Sequence, residues 1–225
     1  NSTVNDLAHI EATITGPARD ALLLLDSNPL NFISPLGVNP YISSGEQDVR
    51  VVFDFPLIQD LKIDMVNVTA NAKLKNFNAF IGSLNSNFTG GDLDLTLNSN
   101  SLVVIGKGSL FGVPVKLKWT EDISDNSDLR SRYQAEFVLD EISQQRIGLN
   151  PLSFMSGPIS TIVNYEVSKS GDISALINFD LDQTNLSLES FDWYKSSGRS
   201  GYAKIKILGK EGLERKNIKF YVNAP

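Results

Sequence analysis

The sequence predicts a mainly β protein: a long antiparallel sheet, twisted and curled into an open groove or half-barrel, built from two tandem units with a few short helices. Three observations lead there. Apolar and polar residues alternate with period two along most of the 225 residues, the pattern of strands whose two faces differ. Segments with helical periodicity are few and short. A stretch at 36–45, LGVNPYISSG, returns at 147–157 as IGLNPLSFMSG, which marks an internal repeat.

In chain order, Leu7–Thr15 reads as the first strand. Pro17 then opens a helix through ARDALLLLD to Asp26, at a position where a first helical turn tolerates proline. Pro29 to Leu36 reads as a second short helix closed by Gly37. Val51, Phe53 and Phe55 alternate with Arg50, Val52 and Asp54 as a strand. Leu61, Ile63 and Met65 continue the pattern. The apolar phase then moves to Val66, Val68, Ala70, Ala72 and Leu74, so a bulge is expected near 65–66, because one added residue flips every later side chain. Strands follow at Leu93–Leu97, Leu102–Gly108, Val113–Trp119 and Tyr133–Leu139. A third helix is expected from Asp140, its N-cap, to Ile147, ended by Gly148. The remaining strands are Ile159–Val167, Ile173–Leu181, Leu186–Phe191, Tyr202–Leu208 and Ile218–Val222. Gly, Asn, Asp and Ser fill the gaps, as turns require.

The repeat is regular. Gly37, Asn39 and Pro40 return as Gly148, Asn150 and Pro151 at a constant offset of 111 residues. Each copy follows a helix signal and leads through Gly45 or Gly157 into an alternating strand. Val51, Phe53 and Phe55 align with Val163, Tyr165 and Val167. The chain therefore reads as one continuous β-groove fragment, 1–225, with units at about 7–128 and 129–225, the second incomplete. The repeated stretch is punctuation between elements rather than a binding motif.

Composition bounds the function. Hydrophobic residues make up 41% and charged residues 20%, with a formal net charge of −6. Such a chain can bury a sizeable core and lacks the clustered Lys and Arg that nucleic acid requires. There is no cysteine and a single histidine, His9, so thiolate chemistry, cysteine zinc sites and His-based triads are excluded within one chain. No apolar run approaches the ~20 residues of a membrane span. No leader or initiator Met begins the chain, so it reads as a soluble segment of something longer.

Motifs that suggest chemistry do not hold. GKGSLFG at 106–112 fits neither the phosphate-loop nor the dinucleotide spacing; it reads as strand, bulge and tight turn. EDISDNSD at 121–128 lacks the glycine and closing Glu of a calcium loop and reads as a solvated connection. Asp92 and Asp94 share one strand face, which is outward. His9 reads as an exposed or satisfied strand residue. Asn1, Asn67, Asn87 and Asn185 begin glycosylation sequons, which matter only in a eukaryotic secretory setting. Trp119 and Trp193 read as packing residues. No nucleophile with a base, metal cluster or cofactor site is expected, and the chain is not read as an enzyme.

Several stretches, taken in order, resemble one family. They are ITGPARDALLLLD (14–26), the LGVNP stretch with its spacing to VRVVFDFPL (49–57), LKIDMVNVTANAKLKNF (61–77), GKGSLFGVPVKLKW (106–119) and LRSRYQAEFVLDE (129–141). The series is similar to the AsmA-like bacterial envelope proteins, in particular their large YhdP-type members. That resemblance implies a full-length protein anchored in the inner membrane of a Gram-negative bacterium and facing the periplasm. It implies a curled sheet with an apolar interior that carries phospholipid towards the outer membrane, pairs with neighbouring repeats of the same protein, and has no catalytic residues.

The residues supply a compatible face. Each methylene kept from water is worth about 0.8 kcal/mol, so a continuous apolar trough lets acyl chains slide while their headgroups stay wet. The residues expected to line it are Val51, Phe53, Phe55, Ile63, Val103, Ile105, Val115, Leu117, Phe137, Val163, Tyr165, Ile177 and Phe179. The ligand is a phospholipid or another acyl-chain molecule. The alternative is a structural or interaction module of the envelope, in which the same residues form a closed core and an unpaired strand edge takes a partner.

Overall fold

In the computed structural model, the described residues are 6–27, 33–34, 38–62, 65–124, 127–147, 153–213 and 216–224. They are mainly strand. The long strands are β1 (Leu7–Pro17), β2 (Ser44–Pro56), β3 (Asn67–Ile81), β4 (Ser86–Leu97), β5 (Ser101–Leu110), β6 (Val113–Asp122), β7 (Leu129–Leu139), β9 (Ile159–Ser168), β10 (Asp172–Asp180), β13 (Tyr202–Lys210) and β14 (Asn217–Asn223). These eleven form one sheet in the order β1-β2-β3-β4-β5-β6-β7-β9-β10-β13-β14. Every register found pairs antiparallel neighbours. The sheet is open, with β1 and β14 as its terminal strands. Three short strands, β8 (Met155–Ser156), β11 (Asn185–Leu188) and β12 (Trp193–Lys195), make a separate sheet.

Two short helices accompany the strands. α1 is Ala18–Asp26; Pro17 is its N-cap and offers no side-chain cap. α2 is Glu141–Arg146, and the Asp140 carboxylate accepts from the Ser143 amide at 2.7 Å, an ordinary N-cap. The chain falls into two compact units, Asn1–Gly106 with Thr120–Asn126, and Lys107–Trp119 with Ser127–Pro225.

The element order after β7 repeats the order after β1. A long strand leads to a short helix and then, past a 3-10 turn in the first unit or β8 in the second, to two long strands; a further 3-10 turn follows, directly in the first unit and after β11 in the second. The turns at Gly82–Leu84 and Glu189–Phe191 end on left-handed residues, Asn85 at φ 49° and Asp192 at φ 47°, a conformation that Asn and Asp tolerate better than most. Gly45 at φ 118° and Gly157 at φ 98° open corresponding strands. A Cβ on Gly45 would lie 2.8 Å from the Lys75 carbonyl, and one on Gly157 2.8 Å from the Gln183 carbonyl. Both glycines of the repeated stretch are therefore demanded by backbone as well as by φ. Its Asn39 side chain accepts from the Tyr41 amide at 3.0 Å and caps the 3-10 turn Pro40–Ile42. Gly37, Gly148, Asn150 and Pro151 lie outside the described residues.

Several expectations need correction. β3 starts at Asn67, so Leu61 and Met65 lie in a connection and are exposed. Pro56, without an N–H, closes β2, and alternation beyond it has no ladder to follow. No strand runs through 65–66. The irregularity sits between Leu74 and Ala79, where Asn76 adopts φ 47°. β3 and β4 also run further than expected, to Ile81 and from Ser86, because the Asn- and Ser-rich stretch between them turns within four residues. The strand expected at Leu186–Phe191 ends at Leu188 and passes into the 3-10 turn. The helix expected at 29–36 lies outside the described residues except for Ile33 and Ser34. GKGSLFG resolves as the end of β5 and a two-residue turn, Phe111 at φ 54° and Gly112 at φ 73°, the left-handed pair that a tight hairpin needs.

Candidate functional site: the apolar faces

In the first unit, register places one set of side chains together. Ile10, Ala12 and Ile14 of β1 lie opposite Phe53, Val51 and Val49 of β2. Those oppose Val68, Ala70 and Ala72 of β3, and Ala70, Ala72 and Leu74 oppose Leu97, Leu95 and Leu93 of β4. The other face carries Glu11, Arg50, Asn71 and Asp94. Arg50 Nε donates to Glu11 at 2.7 Å, and this hydrogen bond holds the Glu11 carboxyl below its usual range. His9 Nδ1 lies 2.6 Å from Asp54 on the same exposed side.

One end of this apolar face is covered. Gln47, Leu74, Phe77, Ala79 and Phe88 are buried there. α1 packs on β2 and on the 3-10 turn at Pro40–Ile42, and buries Ala18 and Leu22. Among the described residues the Oε1 atom of Gln47 has no hydrogen-bond partner. Towards the other end Phe53, Phe55, Val68, Ala70, Ala72 and Leu95 are only half-buried.

The second unit repeats this division. Tyr133, Ala135 and Phe137 of β7 oppose Tyr165, Val163 and Thr161 of β9. Tyr165, Val163 and Thr161 oppose Ala175, Ile177 and Phe179 of β10, which oppose Ile207, Ile205 and Ala203 of β13. Ile218, Phe220 and Val222 of β14 finish the face. The reverse side carries Arg132, Gln134, Glu136, Asn164, Glu166, Lys204 and Lys206. At one end Leu139, Ile159, Leu181 and Leu186 form a closed cluster with Phe137, Ile147, Met155, Phe179 and Trp193 packed on it. Beyond that cluster Val163, Tyr165, Ile177, Ile205 and Ile207 are half-buried.

An aromatic row marks the far end. Trp119 stacks on Tyr133 at 6.1 Å with planes 5° apart, and Tyr133 tilts against Tyr165 at 5.9 Å. Burial pushes the Tyr165 phenol above its usual pKa; the Glu211 charge adds to that and Arg130 opposes it.

The predicted lining residues divide as follows. Val51, Phe53 and Phe55 share the face of the first unit. Phe137, Val163, Tyr165, Ile177 and Phe179 share that of the second, with Phe137 and Phe179 in its closed end. Val115 and Leu117 of β6 are in phase with Trp119, which stacks on Tyr133, and Val115 is buried. Ile63 lies outside the described residues. Val103 and Ile105 are out of phase. Leu102 is 1% and Val104 5% exposed, whereas Ile105 is 49% exposed. A Cβ on Gly106 would lie 2.8 Å from Leu93 Cδ2, which puts Gly106, Val104 and Leu102 on the Leu93 face. In a run such as SLVVIG both phases are apolar, so periodicity alone could not choose between them.

The remaining motifs can be placed where their residues are described. Asp92 and Asp94 are exposed, and Asp94 lies 3.9 Å from Lys73. Asp122, in the acidic stretch, accepts from the amide and hydroxyl of Ser124. Among the described residues no three acidic or histidine side chains are grouped to hold a metal ion, and no helix is long and apolar enough to cross a membrane. Sequence reasoning missed three features: the orphan Gln47 oxygen, the buried Lys195, and the Arg130–Glu211 pair. Each depends on residues distant in the chain, and none has a local signal. Compared with protein-family models, curated proteins and solved structures, the chain matches none.

Proposed function

We propose that this chain is a non-catalytic segment of an envelope protein that gives acyl chains an apolar path, moving phospholipid through the periplasm between inner and outer membranes. One observation carries the reading: in each unit the apolar face is sealed at one end and continues beyond the seal as a row of Val, Ile, Phe and Ala in which buried positions (Val51 and Leu97; Ala175 and Val167) alternate with half-buried ones. Each methylene of a bound acyl chain kept from water along this row is worth about 0.8 kcal/mol. The reverse face of the second unit carries Arg132, Gln134, Glu136, Asn164 and Glu166, so the apolar row is the side that an acyl chain would follow. The AsmA-like resemblance points the same way.

Native mass spectrometry after mild purification, with uptake of a fluorescent acyl probe, tests the proposal. Co-purifying phospholipid and saturable uptake are expected. A clean apo mass together with no uptake would overturn it.

A second reading, an interaction module that accepts a partner strand, is favoured by β14. Among the described residues β14 pairs on one side only, with β13, and Phe220 is 68% and Val222 71% exposed. Unprotected apolar edges pair readily. It predicts association in solution that Val222→Lys abolishes, with no lipid bound.

A further inference from the structure

The second unit contains an ion pair that crosses its own apolar face. Arg130 is the extra residue at an irregularity of the β7–β9 pairing, between Leu129 opposite Ser168 and Ser131 opposite Val167. Glu211 is the first residue beyond β13, and its amide donates to the Gly171 carbonyl in the β9–β10 turn at 2.8 Å. The guanidinium donates to both carboxylate oxygens, Nη2 to Oε1 at 2.7 Å and Nη1 to Oε2 at 3.2 Å. β7 and β13 are three places apart in the sheet, about 14 Å at ordinary strand spacing. The pair thus straps the mouth of the face over β9 and β10. Ser131, the residue after Arg130, opposes Val167 on the apolar face, and a Cβ on Gly171 would lie 3.6 Å from Glu211 Oε2. Below it Ser131 and Val167 are buried, and beyond them follow the aromatic row and the half-buried Val163 and Ile177.

This arrangement has the parts of a headgroup station. Aromatic side chains with polar tips suit the boundary between apolar and wet surroundings. A guanidinium fork binds two oxygens of one anionic group, and a carboxylate and a phosphodiester both present them. The two side chains are 42% and 44% exposed, so an incoming anion can reach the fork and displace Glu211. The half-buried row spans β7, β9, β10 and β13, about 14 Å across. That width suits a two-chain lipid better than a single-chain fatty acid.

We infer that Arg130 is the headgroup-binding residue at the mouth of the second unit, that it takes the phosphodiester of a two-chain phospholipid, and that Glu211 is the internal competitor occupying it until lipid arrives. The inference rests on the lipid-path reading and deepens it.

The test loads the purified 225-residue chain with dioleoylphosphatidylglycerol or with dioleoylglycerol, which has the same chains and no anion, and measures retention by native mass spectrometry. The wild type should retain the anionic lipid preferentially. Glu211→Gln should raise that preference about tenfold, the scale of one charge-assisted hydrogen bond. Arg130→Gln should abolish the preference and leave dioleoylglycerol uptake unchanged. Arg132→Gln, on the polar face, should change nothing. Far-UV spectra confirm that each variant is folded. If both lipids are taken up with a preference that Arg130→Gln does not alter, the headgroup station is wrong and the lipid path stands. If neither lipid is taken up by the wild type, both fall.

Discussion

The ammonium of Lys195 donates to the carbonyl of Leu181 across 2.6 Å, and the side chain is wholly buried. A second hydrogen bond, 3.0 Å, reaches the Thr184 carbonyl. In the first unit the corresponding position, two residues into the strand after the 3-10 turn, is the buried Phe88. One unit thus fills its closed end with an aromatic ring and the other with a lysine that ties down the Leu181–Thr184 turn. A buried polar group left without its partner costs about 1–3 kcal/mol. Lys195→Met keeps the volume and removes the donor. It should lower unfolding free energy by about that amount in urea titrations, and Lys195→Ala by more, because a cavity is added. A Met variant at wild-type stability would show that the two hydrogen bonds only offset the burial of the charge.

The orphan oxygen of Gln47 predicts a change of the opposite sign. Gln47 lies among the apolar residues under the cover of the first unit, and its Oε1 accepts from no donor among the described residues. Gln47→Leu removes the desolvated carbonyl and keeps similar bulk. It should raise stability by about 1 kcal/mol, read as a higher urea midpoint at unchanged slope. A lower midpoint would mean that the amide serves the fold.

Glycines in the strands should differ sharply in tolerance. Gly106→Ala places a Cβ 2.1 Å from the Asp92 carbonyl, and Gly45→Ala meets three backbone atoms within 2.9 Å at φ 118°. Each should cost about 1–3 kcal/mol. Gly16→Ala meets nothing within 4 Å and should be silent or slightly stabilising. Thermal melts of the three variants decide it, and equal shifts would contradict the assigned backbone.

Asp140 makes α2 acid-sensitive. Its carboxyl is held below the usual range by hydrogen bonds from Ser143, the side chain first and then the backbone amide. A carboxyl with a lower pKa folded than unfolded stabilises fully above the ordinary carboxylate range. That contribution is lost as pH falls through the folded value. Asp140→Asn keeps a capping acceptor and removes the titration. Its melting temperature should match wild type less well at pH 7 than at pH 3, and the gap between the two proteins should narrow on acidification. A constant gap would remove Asp140 from the acid response.

Tyr165 gives the alkaline counterpart. Burial raises its phenol above the usual value, so it should be among the last tyrosines to ionise in the folded protein. Because the folded pKa is the higher one, its stabilising share is present below the ordinary phenol range and lost as pH rises through the folded value. In absorbance titrations at alkaline pH, Tyr165→Phe should remove amplitude from the late part of the curve. Loss from the early part would place the phenol in water.

The sequence alone determined the class of the fold and most of its strands, because period-two alternation is a local consequence of the strand backbone. It determined the turn glycines as well, since a positive φ leaves a mark in residue type, and Asp140 as a cap, since the acceptor lies three residues from its donor. Tertiary structure decided the rest. Only pairing could show that Leu102 and Val104, rather than Val103 and Ile105, share the Leu93 face, because a doubly apolar run has no phase of its own. Only pairing could start β3 at Asn67, opposite Asp54, and leave Leu61 and Met65 exposed outside it. The Lys195 cup joins residues 11 and 14 apart, and the Arg130–Glu211 strap joins residues 81 apart. Such contacts follow from strand order and leave no local pattern to read. The two features with the most specific chemistry are therefore ones that the sequence could not show.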